Sequence, residues 1–72
     1  MQELRFKVKG DSFLTIEVSE VQFYEGFLLA TSAPSREIYD AAAAGDIKKV
    51  VKYDDACRVL ISLDRFVMLE NI

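Results

Sequence analysis

The chain has no histidine and no tryptophan, a single cysteine, a single proline and three glycines. Each scarcity closes a route. Without histidine there is no ordinary general base near neutral pH, and no Ser–His or Cys–His nucleophile pair. No imidazole can join Cys57 in a structural zinc site, which takes four Cys or His ligands. One cysteine permits no intrachain disulfide. Gly10, Gly26 and Gly45 stand apart from one another, so no glycine-rich loop is present to cradle phosphate. The longest uncharged stretch, Gly26 to Ser35, is too short to cross a bilayer and contains Pro34. Met1-Gln2-Glu3-Leu4-Arg5 lacks the basic-then-apolar pattern of an export signal, and the unpaired thiol suits a reducing compartment, so the expected location is the cytoplasm. The chain is expected to be non-enzymatic, with no cofactor, no metal and no membrane association.

Apolar side chains are abundant instead. Hydrophobic residues make up 51% of the 72 positions, and five Phe and three Tyr are among them. A chain of this length forms one domain, residues 1–72, and buries only about 60% of its unfolded surface. Its interior is too small for so many apolar groups, so some are expected on a surface that meets a partner. The net charge of −3 and a pI near 4.8 argue against a protein built for nucleic acid, which is usually basic.

Leu4-Arg5-Phe6-Lys7-Val8-Lys9 alternates strictly between apolar and basic residues, the signature of a half-buried strand. Gly10-Asp11 turns the chain, and Phe13 to Val18 returns with Leu14, Ile16 and Val18 inward and Phe13 outward. Ser19-Glu20 breaks the pattern. Val21 to Tyr24, the turn Glu25-Gly26 and Phe27 to Thr31 read as a second hairpin, whose returning arm is apolar on both faces and so central or covered by the helix. Pro34 fits a first helical turn, Ser32 or Ser35 can cap it, and Glu37 complements the dipole there. The helix runs on through the alanines to Gly45, with Ile38 and Ala42 on one face. Asp46 to Tyr53 is ambiguous between helix and strand; it reads best as loop to about Lys49, then strand into a hairpin turn at Asp54-Asp55. Cys57, Val59 and Ile61 point inward along the next strand. Leu63-Asp64-Arg65 makes one tight turn, Phe66 to Glu70 closes, and Asn71-Ile72 frays. The expected class is α+β and β-rich: a small, strongly bent antiparallel sheet or SH3-like barrel of five to six short strands, with one short helix inserted near residues 33–44.

Candidate sites follow from what this fold leaves outside. Aromatic side chains offer contact area at small entropic cost, and the loop at the helix start is free to vary on a rigid sheet. Phe13, Tyr24, Phe27, Ser35, Arg36 and Tyr39 are therefore the expected partner-binding residues. The partners expected are a second copy, as a homodimer or higher oligomer, and another protein, in an accessory or inhibitory role. The alternative from a different class is single-stranded nucleic acid on the basic face of the first strand, Arg5, Lys7 and Lys9, with Phe13 or Tyr24 to stack bases. Against it, lysines on an edge strand also serve to discourage edge pairing, and Thr15 and Glu17 are expected across the hairpin from the row. A third possibility is a small-ligand pocket where the alanine helix meets the sheet. Asp54-Asp55, completed by Asp46, Asp64 or Glu70, is a conceivable hard-cation set, but Asp in a tight turn is explained by the backbone alone. Cys57 reads as a small buried hydrophobe, because Arg58, which could activate it, points to the opposite face of the strand.

Overall fold

The alternating N-terminal segment forms β1 (Gln2–Val8) in the computed structural model, which describes residues 2–71. Leu4 and Phe6 are buried while Arg5 and Lys7 are exposed, as their period of two requires. A tight turn at Lys9–Asp11 leads into β2 (Ser12–Tyr24), then β3 (Phe27–Ser32), α1 (Arg36–Ala43), β4 (Lys49–Tyr53), β5 (Ala56–Ser62) and β6 (Phe66–Asn71). The strands build one antiparallel sheet in the order β4-β5-β3-β2-β1-β6. This is a small, β-rich α+β sheet.

The sheet has to curl. On a flat sheet β5 and β6 would lie four spacings apart, about 19 Å. Four backbone steps join Ser62 to Phe66, a reach of at most about 15 Å, and the turn between them is tightened further. Arg65 N–H donates to Ser62 O at 3.0 Å and Phe66 N–H to Leu63 O at 3.2 Å. The bend is pinned where Lys7 N–H donates to Arg65 O at 2.8 Å and Leu63 N–H to Gly26 O at 3.1 Å. The concave side holds the core: Leu4, Phe6, Ile16, Val18, Leu28, Ala30, Cys57, Val59 and Ile61, capped by Ile38 and Ala41 of α1 and by Ile47. As the double-sided apolar pattern requires, β3 is central.

Three expectations need correction. Ser19-Glu20 does not end a strand. It is the site of a bulge inside one 13-residue strand, where the register shifts between Val18 and Glu20. The extra residue bends β2, so its first half pairs with β1 and its second half with β3. Pro34 lies outside the helix, ahead of the cap: Ser35 is the N-cap, and its Oγ accepts from Ile38 N–H at 3.4 Å. As expected, Ile38 and Ala42 lie on the face turned to the core, Ala42 partly buried, and Ala41 beside them is buried as well. Asn71 is not frayed. It pairs with Gln2, whose side-chain amide donates to Asn71 Oδ1 at 3.1 Å; Ile72 lies outside the described residues.

The helix stops as its residues dictate. Gly45 takes φ of +86°, which favours glycine. Its N–H donates to Ala42 O at 3.1 Å and Asp46 N–H donates to Ala41 O at 2.8 Å, a Schellman closure. That closure turns Ile47 into the core.

Candidate interaction surface

Strand pairing assembles an apolar outer face that no single segment contains. Residues opposite one another on neighbouring strands share a face. The pairs Tyr24–Phe27, Leu29–Leu60, Leu60–Lys49, Arg58–Val51 and Ala56–Tyr53 therefore lie on the convex side, opposite the buried pairs Leu28–Ile61 and Ala30–Val59. The rings of Tyr24 and Phe27 stack at 5.0 Å and 14°, and Tyr24 Oη donates to Gln22 Oε1 at 2.8 Å. The Arg58 guanidinium lies 5.4 Å from the centre of the Tyr53 ring. Leu29, Val51, Tyr53 and Leu60 line a shallow hollow of about 210 Å³, with Lys49 and Arg58 at its rim. Tyr53 is 53% exposed, and Phe23, at the end of β2, is 55% exposed although its ring meets Phe66 edge-on at 5.7 Å.

The other sequence candidates are placed apart from this apolar patch. Phe13 is exposed on the outer side of β2, opposite Lys7, with Arg5 stacked over its ring at 4.6 Å. Ser35 is occupied as the helix cap, Arg36 pairs with Asp40 at 3.7 Å in water, and Tyr39 is exposed on α1. Of the six expected partner residues, only Tyr24 and Phe27 touch one another as a stacked pair. Leu29, Leu60, Val51 and Tyr53 complete their surface and were not among the six. The signal that could have found them is the outward register of a strand apolar on both sides.

The basic row is less basic in space than in sequence. Thr15 does face Arg5, but Glu17 faces Glu3, which in turn faces Glu70 on β6. Three glutamates thus form a row beside Arg5. Lys9 lies in the turn beyond. The expected cation set is dispersed: Asp54 and Asp55 turn between β4 and β5, while Glu70 is on the opposite edge strand. Asp46 is buried and committed, accepting from Arg65 Nη1 at 2.7 Å. Where α1 faces β2, an open groove of about 450 Å³ runs between Leu14–Glu17 and Ser32–Ile38. Cys57 is fully buried, and loss of water holds its thiol pKa above the ordinary 9.0.

No family model, curated protein or solved structure matches the chain. Among the described residues no helix is long and apolar enough to cross a membrane.

Proposed function

We propose that this protein is a small non-enzymatic interaction module that works by presenting its convex sheet face to protein, a second copy of itself included. One observation carries the reading: Tyr24, Phe27, Leu29, Val51, Tyr53 and Leu60 share the outer face of β2, β3, β4 and β5, outside the buried core. Burying such a face against a partner gains roughly 25 cal/mol per Å² of apolar area. Its aromatic members are the residue types that dominate binding energy at protein interfaces. A rigid sheet with an occupied interior suits blocking or tethering better than turnover, in keeping with an accessory or inhibitory role in the cytoplasm. Size-exclusion chromatography with light scattering at 10–100 μM, on the order of the weak-dimer range, is the direct test. The expected result is a dimer or higher oligomer, and a strict monomer removes self-association from the reading.

The nucleic-acid alternative has one observation behind it: Arg5 and Phe13 are stacked, so a charge and a ring sit together on one face. The glutamate row beside them opposes a phosphate backbone. Oligonucleotide affinity that falls steeply with salt would support it, and no binding at low salt removes it.

A further inference from the structure

We propose that the second copy docks on the free edge of β4, two-fold and antiparallel, with Val51 on the axis. The inference rests on the self-association reading above and specifies its surface. Among the described residues β4 is an edge strand, hydrogen-bonded on one side only, to β5. The β4–β5 loop has two residues, Asp54 and Asp55, so the flanking pair Tyr53–Ala56 is of the hydrogen-bonded kind. Alternation then turns the backbone groups of Val51 and Lys49 toward β5. At the other end of the strand Lys48 N–H also turns inward, donating to Leu60 O at 2.8 Å, so the regular alternation begins at Lys49. Val50 and Lys52 are left with N–H and C=O directed outward.

Only certain registers use those outward groups. When Val50 lies opposite Lys52 of the second copy, four backbone hydrogen bonds form, and Val51 meets its own equivalent as a non-hydrogen-bonded pair. The charges select the same register. The entry to β4 is basic, Lys48-Lys49, and its exit is acidic, Asp54-Asp55. A parallel pairing would set like charges together. The antiparallel pairing about Val51 brings Lys48 opposite Asp54 of the second copy and Lys49 opposite Tyr53 of the second copy, near Asp55. The outer side chains Val51 and Tyr53 then join the apolar faces of both copies into one surface. The opposite edge strand has no such complementarity: β6 carries Glu70 and no basic residue.

The test is a charge exchange read by light scattering. Lys48→Glu/Lys49→Glu makes both ends of β4 acidic. Asp54→Asn/Asp55→Lys leaves the exit net basic, and keeps at position 54 a residue that tolerates the positive φ there, +37°. Each variant alone is expected to lose dimer affinity at least tenfold, and a 1:1 mixture to recover it as a heterodimer. Recovery also shows that both variants fold. Independently, Val51→Cys is expected to form an interchain disulfide under mild oxidation, because Cα atoms about 4.5 Å apart suit one, while Lys49→Cys is not. Cys57 is buried and does not compete. If the wild type is dimeric but the variants keep their affinity and Val51→Cys stays uncrosslinked, the edge is wrong and self-association stands. If the wild type is monomeric, both fall.

Discussion

Replacing Arg65 with methionine tests the closure of the fold. Arg65 Nη1 donates to Asp46 Oδ1 at 2.7 Å and to Lys7 O at 3.4 Å. One side chain therefore joins the β5–β6 turn, the α1–β4 connection and the end of β1. The Asp46 side chain is 5% exposed and that of Arg65 35%. Removing one partner of a fully buried pair costs about 3–5 kcal/mol, because the other charge is left without compensation. Water reaches this guanidinium, so the pair starts partly hydrated and the expected loss is smaller, about 2–3 kcal/mol. For 72 residues the whole stability is roughly 4–11 kcal/mol. The substitution thus removes a large share, and should lower the melting temperature by about 10–20 °C. Urea unfolding followed by circular dichroism measures the change. Arg65→Met combined with Asp46→Leu should be less damaging than the two single losses summed, by about 1–2 kcal/mol, since the double variant strands no charge. If Arg65→Met costs less than about 0.5 kcal/mol, the pair behaves as a solvated surface contact, and the clasp is not what holds the turn.

Ile47 lies in a loop yet is almost wholly buried, so Ile47→Ala should cost about 2–5 kcal/mol by the cavity it leaves. Hydrogen exchange should then show α1 and the start of β4 opening ahead of β5; an unchanged exchange pattern would mean that Ile47 does not anchor the helix. For Cys57 the folded thiol pKa is raised, so above the ordinary 9.0 the unfolded chain releases a proton that the folded chain keeps. That contribution to stability is complete below the unfolded value and is lost as pH climbs from there through the folded value. Stability of the wild type relative to Cys57→Ala should fall across that alkaline window. A difference independent of pH would contradict the burial of the thiol. In the same experiments an alkylating reagent near pH 8 should modify Cys57 only as the protein unfolds.

Much of the fold can be read from single segments. The alternation of Leu4 with Arg5, and the β-branched run around Val59 and Ile61, identify strands and their inner rows. Ser35 and Gly45 mark the helix ends by their own backbone chemistry. The bulge at Ser19-Glu20 is a different case. One extra residue resets the period-two rhythm, so a continuous bent strand and two separate strands look alike until the partners are known. Arg65 and Asp46 carry no mutual signal at a sequence separation of 19. The candidate surface was half legible: Tyr24 and Phe27 flank one turn and stack across it, whereas Leu29 and Leu60 meet only because β3 lies beside β5.

Local pattern and turn chemistry alone settled most of the extended segments, the tight turns and the helix, but not the continuity of β2 through Ser19-Glu20. They act over a few residues, through side-chain alternation and backbone φ. Three things had to await tertiary structure: the order of the strands, the commitment of Asp46 to Arg65, and the side of β3 that turns outward. β3 is apolar on both sides, so its sequence is equally content either way. The curl of the sheet decides: its concave side has room for Leu28 and Ala30, and Phe27 and Leu29 are left on the convex side, where another molecule can reach them.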